Sequence, residues 1–277
     1  MPQFTLVTGA LVIAIGTLVL ASPLCSSDDV GLWQALFTVT SAITVTGLSI
    51  IDVSRDLTTF GQLTLAGLII TGGLGLMAIT TFLQGFVQGH SGLRHRLDRG
   101  RALDEFGVGG IGPTFNSILI TGFCVMGIGT VVLYGFGFTD IANPLERFWA
   151  SLFHCISAYN NAGFGLWGDN LVGYRDNPVV NGVIASMIVV GGIGWRVIND
   201  LWSNRSRLQR LRRLSLHTRL VLRSTAVLIV FGALGLLFTE QFASGGVIEN
   251  LQWWQRIQVT LFQSITARTA GFNTVPL

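Results

Sequence analysis

The chain repeats one short pattern three times: an apolar stretch that runs into a polar loop centred on glycine. The stretches align without gaps on Gly47, Gly163 and Gly271, and read ALFTVTSAITVTGLS, SLFHCISAYNNAGFG and VTLFQSITARTAGFN. Non-helical backbone at membrane depth is tolerated only where protein buries it or where it lines a water-filled cavity. The repeat therefore predicts a pore made of re-entrant loops, whose backbone carbonyls can replace an ion's hydration shell.

The composition is that of a membrane protein. Half of the 277 residues are apolar, 11% are charged and the mean hydropathy is +0.60, whereas soluble domains carry about 25% charged residues. We interpret the first apolar run as a retained helix and not as a signal peptide, because it lacks a basic n-region. Five runs come close to the roughly 20 residues that a helix needs to cross a bilayer: 4–21, 63–82, 118–138, 179–198 and 220–238.

The predicted fold class is an all-α membrane protein, with repeated helix–pore loop–helix units around a central ion pore. In the first unit the apolar element at about 31–43 is too short to span, so it is expected to enter the membrane and return. Glycines in the next helix also repeat, since GGLG at 72–75 matches GGIG at 191–194, and close packing is their favoured role. Residues 1–90 form repeat 1, 91–113 a cytoplasmic loop, 114–203 repeat 2, 204–216 a cytoplasmic loop, and 217–277 an incomplete repeat 3.

The distribution of charge predicts the topology. All 17 basic side chains are arginine, and they concentrate in the segments 90–101 and 205–223. Short arginine-rich loops stay in the cytoplasm, which places the amino terminus inside and the three glycine loops outside. Most acidic residues then face outside, where they would attract cations, although simple solvation of the loops explains them equally well. This pattern favours a lipid environment and argues against a nucleic-acid partner, despite a pI near 9.1.

The first glycine loop carries the chemistry expected of an ion filter. Thr44, Val45, Thr46 and Gly47 follow a helix aimed into the membrane, and a Thr-Val-x-Gly string is similar to the filter of potassium channels. Glycine allows backbone angles that turn successive carbonyls toward one axis. A single string of this kind is a weak signal, and an ordinary turn would explain it. Three aligned loops in the same topological position are a much stronger one.

These residues resemble the Trk/Ktr/HKT superfamily of potassium and sodium transporters, and most of all its bacterial membrane subunits of the KtrB/TrkH type. In that superfamily four such units surround one pore, and one glycine of each unit lines the filter. A glycine in the first loop goes with potassium preference, and a serine there with sodium. The strings that carry the resemblance are FTVTSAITVTGLS, SAYNNAGFGLW, IVVGGIG, LSLHTRLVLR and SITARTAGFNT.

The resemblance implies potassium uptake across the bacterial inner membrane, through a carbonyl-lined filter. It implies K⁺, with Na⁺ as a second possibility, at the backbone carbonyls of Gly47, Gly163 and Gly271, and no other cofactor. It also implies a homodimer that works with a cytosolic nucleotide-binding ring subunit of the KtrA/TrkA type, docked on the two basic loops. The implied filter residues are Thr44, Val45, Thr46, Gly47, Asn160, Asn161, Ala162, Gly163, Thr269, Ala270 and Gly271, with Arg268 as filter support.

The pattern departs from the family in one respect. About 2.5 of the four units are present, so the expectation is a subunit truncated before the fourth repeat. A non-conducting fragment, or a regulatory partner of a full-length subunit, is therefore the main alternative to potassium uptake. Sodium transport or sodium–potassium symport ranks below both. Three re-entrant loops leave a pore wall open to lipid, so these residues alone are expected to give no potassium flux.

Several other residues have two possible roles. Arg196 is either a functional intramembrane charge or, as we favour, a snorkelling side chain or a partner of Asp200. Asn160 and Asn161 either brace the filter or cap a helix, and Arg268 is expected to brace the third loop through carbonyls or an acid. For His154 a hydrogen-bonded core position is favoured over a ligand. The three cysteines fit no disulfide or metal framework, and a membrane protease is disfavoured because no serine motif accompanies the histidines.

Overall fold

The computed structural model describes residues 2–26, 30–73, 75, 111–204, 214–242 and 251–276. Within them every regular element is a helix, which confirms the predicted all-α class. The helices are α1 (Pro2–Leu20), α2 (Leu32–Thr44), α3 (Thr59–Gly73), α4 (Ile111–Val132, continued by a π-helical turn at Leu133–Gly137), α5 (Pro144–Tyr159), α6 (Pro178–Ile193), α7 (Trp195–Ser203), α8 (Leu216–Phe242) and α9 (Trp253–Thr269), with a 3₁₀ turn at Val172–Tyr174. The predicted repeat boundaries stay a prediction, and most of both basic loops lies outside the described residues.

Two of the described helices are long and apolar enough to cross a membrane, Asn116–Gly137 and Leu216–Glu240. The pair α6 and α7 would make a third span if a bent pair is counted as one. Helix α1 is apolar but shorter over Leu6–Leu20. The predicted run 63–82 is described as a helix only as far as Gly73, and its remainder falls almost entirely outside the described residues.

The predicted continuous helix at 179–198 is divided in the structure. Helix α6 ends at Ile193, Gly194 takes a φ of +82°, and α7 leaves at 92° to α6. A positive φ ends the helix, and glycine adopts it without the penalty of a side chain. Arg196 therefore lies exposed in the first turn of α7 and not inside an apolar helix. Asp200, its predicted partner, accepts hydrogen bonds from the Asn204 amide (2.9 Å) and the Ser215 N–H (3.0 Å).

The starts of α5 and α6 follow from an Asn-Pro pair at each site. The Asn143 side chain accepts a hydrogen bond from the Leu145 N–H at 3.0 Å, and Asn177 caps α6 in the same way. Asparagine satisfies an N–H that the first helical turn leaves open, and proline fits the first helical position. The entry of the second pore helix, α5, is thereby fixed by the sequence itself.

The chain forms two compact units. One comprises Met1–Val45 and Ser49–Cys124, the other Thr46–Leu48 and Val125–Leu277. In the first unit α1, α2 and α3 pack on one another, and a Cβ added at Gly72 of α3 would meet the Ile43 carbonyl oxygen. In the second unit a Cβ at Gly191 of α6 would meet the Tyr159 carbonyl oxygen. These contacts occupy equivalent repeat positions, so Gly72 and Gly191 serve close packing, as predicted. Gly75 and Gly194 of the same strings have no described atom within 4 Å of an added Cβ.

The first helix of each repeat also approaches its pore helix through a glycine. A Cβ at Gly16 would lie 3.0 Å from the Val39 side chain and 3.2 Å from Leu68, within the first unit. In the second unit a Cβ at Gly129 would lie 2.9 Å from the side chains of both Cys155 and Met187. In the third repeat the Ser264 hydroxyl donates to the Ile229 carbonyl of α8 at 2.8 Å. Every pore helix is thus held tightly by the helix that precedes it.

Candidate selectivity filter

Each of the three predicted filter loops turns at its central glycine with the same backbone geometry. The φ angles are +77° at Gly47, +70° at Gly163 and +75° at Gly271. Such values are strained for residues that carry a Cβ and natural for glycine. In the first two loops the residue two positions earlier is also left-handed, with φ of +56° at Val45 and +57° at Asn161. The glycine alignment made on sequence therefore corresponds to one repeated turn.

The three glycines lie together, within the second compact unit. A Cβ added at Gly47 would lie 2.6 Å from the Ala162 carbonyl oxygen and 3.4 Å from the Gly163 Cα. A Cβ added at Gly163 would meet the Ala270 carbonyl oxygen, and this Cβ would lie 3.1 Å from the Gly271 Cα. One added at Gly271 would lie 3.8 Å from the Gly163 Cα and 4.0 Å from the Gly47 oxygen. Each loop backbone thus lies directly against the next, with no room for a side chain at the first two contacts.

A side-chain hydrogen bond joins the second and third loops. The Thr269 hydroxyl and the Asn161 amide group lie 2.8 Å apart. With its amide nitrogen turned toward Thr269, Asn161 also donates to the Ile188 carbonyl (3.2 Å) and accepts from the Gly192 N–H (3.3 Å). This orientation satisfies Ile188, Thr269 and Gly192 together, and amide orientations are assigned from such networks. Asn161 therefore joins the second loop to α6 and to the end of the third pore helix, a geometry that fits the bracing role considered for it.

Asn160 caps the end of its helix, which is the other role considered for these two asparagines. Its amide donates to the Ile156 carbonyl at 2.8 Å and lies 3.9 Å from the Met126 sulfur. The backbone closes the same helix end, because the Ala162 N–H donates to the Ser157 carbonyl at 2.8 Å. In the first loop Thr44 likewise bonds its own helix, through the Thr40 carbonyl at 2.7 Å. These predicted residues end the pore helices and so set where each loop begins.

Among the described residues, Arg268 at the end of the third pore helix bonds a hydroxyl, whereas carbonyls or an acid were expected. Its Nη1 donates to the Thr225 hydroxyl of α8 at 3.0 Å. A Cβ added at Gly192 of α6 would meet its Nη2. The guanidinium therefore lies where α6, α8 and α9 come together, next to the Asn161–Thr269 pair. Filter support by Arg268 stays a prediction, and its contacts with described residues are with these helices.

His154 is a buried, hydrogen-bonded core residue, as favoured from the sequence. Its Nδ1 lies 2.7 Å from the Ala150 carbonyl, and its Nε2 accepts from the Leu166 N–H at 3.4 Å. The ring stacks on Trp167, with centroids 4.5 Å apart and planes 20° apart. An Nδ1–H tautomer satisfies both bonds. His154 thereby ties the second pore helix to the segment that leaves Gly163.

Asn170 was missed by the sequence analysis. Its Nδ2 donates to the Gly163 carbonyl at 3.2 Å, and its Oδ1 accepts from the Asn273 N–H at 3.4 Å. The residue has a φ of +59°. Its only sequence signal is an asparagine in a Gly-Asp-Asn string, which is typical of any turn.

A polar pair holds the segment that follows the second loop. The Tyr174 hydroxyl donates to Asp140 at 2.6 Å. Burial, and then the hydrogen bond and charge of Asp140, raise the pKa of Tyr174. The phenol therefore stays a donor throughout the physiological range.

The described residues contain no group of three or more His, Cys, Asp or Glu side chains that could hold a metal ion. The three cysteines are unpaired, with Cys25 and Cys155 buried and Cys124 exposed. The groups that the three loops offer to a ligand are backbone carbonyls, hydroxyls and amides. Carbonyls suit a weakly held, dehydrated monovalent cation.

Apolar spans, short pore helices and clustered left-handed glycines define a membrane protein of the pore-loop class. The chain belongs to the TrkH family of cation transport proteins, which matches residues 4–277. This is a family of transporters and not an enzyme class.

Three relatives illustrate the similarity. The chain is 35% identical to the Ktr system potassium uptake protein B of Bacillus subtilis, over 99% of this chain. It is 31% identical to the protein of the same name from Vibrio alginolyticus, over 100% of this chain. It is 30% identical to the potassium/sodium uptake protein NtpJ of Enterococcus hirae, over 90% of this chain. The matches cover 60%, 60% and 54% of those relatives, so the chain spans less than two thirds of their length.

Proposed function

We propose that the chain is part of a potassium uptake subunit, in which Gly47, Gly163 and Gly271 line the selectivity filter. The observation that carries the proposal is the cluster of three left-handed glycines, each at the end of a short pore helix. A turn of this kind can present backbone carbonyls to a dehydrated ion. The names of the Bacillus and Vibrio relatives support potassium as that ion.

Sodium is the second candidate, since the Enterococcus relative is named for both ions. The residue at the first filter position is glycine, which favours potassium by the family resemblance. Thr44, Val45, Thr46, Asn160, Asn161, Ala162, Thr269 and Ala270 complete the proposed filter, and Arg268 supports it.

Ion uptake tests this function. When the chain is completed by the missing part of repeat 3 and a fourth repeat, its expression in a host that lacks potassium uptake is expected to restore growth at low potassium, with K⁺ taken up faster than Na⁺. In liposomes, ion flux separates a conducting subunit from the alternative of a non-conducting or regulatory partner. Equal uptake of both ions would contradict the potassium filter, and absence of flux with intact protein would favour the regulatory partner.

The proposed setting is the bacterial inner membrane, with the amino terminus and the basic segments 90–101 and 205–223 in the cytoplasm. Cysteines placed at Ser91 and Ser206 test the topology. A membrane-impermeant thiol reagent should not label either site in intact cells, and should label both after permeabilisation. Labelling from outside would invert the proposed topology.

The proposed partners are a second copy of the subunit and a cytosolic nucleotide-binding ring subunit. The "Ktr system" of the relatives' names supports a membrane subunit that works with a partner. Neutralising Arg207, Arg210, Arg212 and Arg213 together is expected to weaken co-purification of the ring subunit. Unchanged co-purification would exclude these arginines as the docking surface.

A further inference from the structure

We propose that Asn170 is a positioning residue of the filter, whose side chain fixes the Gly163 carbonyl, locks the third loop to the second and so sets the preference for K⁺ over Na⁺. The inference rests on the proposed function. It assigns a role in selectivity to a residue outside the three pore-loop motifs.

The side chain of Asn170 uses both ends of its amide. The nitrogen donates to the Gly163 carbonyl at 3.2 Å, and the oxygen accepts from the Asn273 N–H at 3.4 Å. Asn273 is two residues beyond Gly271, so one side chain reaches the central glycine of loop 2 and the exit of loop 3. The backbone adds a third bond, since the Leu171 N–H donates to the Asn273 carbonyl at 3.0 Å.

The backbone holds this side chain in place. Asn170 has a φ of +59°, a left-handed conformation that asparagine tolerates better than most residues. Its N–H donates to the Trp167 carbonyl at 3.0 Å. On one side Leu171 is fully buried, and on the other a Cβ added at Gly165 would lie 3.4 Å from the Asn170 Cα. The amide is therefore held in position before any ion arrives.

The consequence for selectivity follows from the chemistry of a carbonyl oxygen, which has two lone pairs. One lone pair of the Gly163 oxygen accepts from Asn170, and the other stays available to an ion. An oxygen held in direction cannot shift inward to coordinate a smaller ion. Na⁺ then loses more hydration than the filter replaces, whereas K⁺, whose hydration is weaker, does not. Release of this carbonyl should make the filter more tolerant of Na⁺.

Two variants remove the donation from the Asn170 amide to the Gly163 carbonyl in different ways. Asn170→Gly keeps the left-handed backbone and removes both side-chain bonds. Asn170→Asp keeps the shape and the acceptor for Asn273, but turns a carboxylate oxygen toward the Gly163 carbonyl. Asn177→Asp is the matched control. It keeps the cap on the Val179 and Val180 N–H groups and loses only the amide's donation to the Gly137 carbonyl, 3.0 Å away and outside the filter loops.

The test measures K⁺ and Na⁺ uptake side by side, for the chain completed by the missing part of repeat 3 and a fourth repeat. Both Asn170 variants are expected to lower the K⁺/Na⁺ ratio about three- to tenfold, the size expected when one hydrogen bond is lost. Their K⁺ uptake should stay within about twofold of the parent. Asn177→Asp should leave the ratio unchanged.

Each other outcome overturns the proposal. Parallel loss of K⁺ and Na⁺ uptake in the Asn170 variants would assign Asn170 to folding alone, as would failure of both variants to give monodisperse protein. A ratio equal to that of the parent would remove its role in selectivity. A parent protein that does not prefer K⁺ would instead refute the proposed function, so the two failures are distinguishable.

Discussion

The side chains of Asn161 and Thr269 meet at 2.8 Å, although they lie 108 residues apart and occupy equivalent positions in consecutive repeats. Asn161 is left-handed, whereas Thr269 is the last residue of its helix. The two residues occupy the same position in two copies of the repeat. One copy has asparagine there and the other threonine, so an amide and a hydroxyl form a hydrogen bond. This hydrogen bond joins loops 2 and 3 where the proposed filter begins.

This pair predicts coupled stability effects. Thr269→Val removes the hydroxyl at constant shape, and Asn161→Gly keeps the positive φ while it removes the amide. Thr269→Val is expected to lower the thermal midpoint of the purified protein by about 2–4 °C, as for the loss of about 1 kcal/mol. Asn161→Gly should lower it further, because it also removes the bonds to Ile188 and Gly192. The double variant should be little worse than the more damaging single one, because both remove the same bond.

Thr239→Val is a matched control for the comparison of the Asn161 and Thr269 single variants with the double variant. The Thr239 hydroxyl is exposed, and its bonds to described residues lie within its own helix, to the Gly235 (3.0 Å) and Leu236 (3.2 Å) carbonyls. Its loss should shift the midpoint little. Additive effects of Asn161→Gly and Thr269→Val would show that the two side chains act separately.

The three filter glycines are predicted to differ in their tolerance of serine. A side chain at Gly163 or Gly47 would meet the carbonyl of the next loop, whereas at Gly271 the nearest described atom is 3.8 Å away. Gly163→Ser and Gly47→Ser should therefore lower the K⁺/Na⁺ uptake ratio more than Gly271→Ser. All three carry strain from the positive φ. Gly47→Ser should reduce discrimination between the ions more than total flux.

The control for this series is Gly67→Ser. Gly67 lies in α3 with no described atom within 4 Å of an added Cβ. Gly61 is a poor control although it lies outside the filter, because an added Cβ would meet the Cys25 carbonyl. An unchanged ratio in Gly47→Ser and Gly163→Ser, with intact protein, would show that these loops are not the selectivity filter.

Helix α6 carries its own pair of test positions. Gly191→Ala would drive a methyl group into the Tyr159 carbonyl, whereas Gly182→Ala enters open space on the same helix. We expect Gly191→Ala to destabilise the protein by about 1–3 kcal/mol, as overpacking does. Gly182→Ala should be neutral or stabilising by up to about 1 kcal/mol through helix propensity. Thermal midpoints compare the two, and equal midpoints would exclude close packing as the role of Gly191.

Part of this architecture could be predicted from sequence. Gly47, Gly163 and Gly271 were aligned because their loops share a local pattern, and one backbone turn follows from it. The break at Gly194 was not predicted, because the run of apolar residues continues through it. Hydropathy depends on the side chains and carries no information about the backbone angle φ. The contacts of Asn170 with Gly163 and Asn273 were also beyond reach. Long-range hydrogen bonds of a loop residue depend on which segments the fold brings together, and no local pattern encodes that.

His154 gives the last prediction, since it satisfies two buried groups at once. His154→Phe should keep the contact with Trp167 but leave the Leu166 N–H without its acceptor, 3.4 Å from Nε2. An orphaned buried donor costs about 1–3 kcal/mol, so the thermal midpoint should fall. The K⁺/Na⁺ ratio should fall with it, because Leu166 is three residues beyond Gly163. Trp167→Phe, which keeps an aromatic ring against His154, is the control and should affect the ratio less. If His154→Phe keeps the parent's midpoint and ratio, the hydrogen bond to Leu166 has no part in holding the second loop, and the aromatic packing around His154 alone positions that segment.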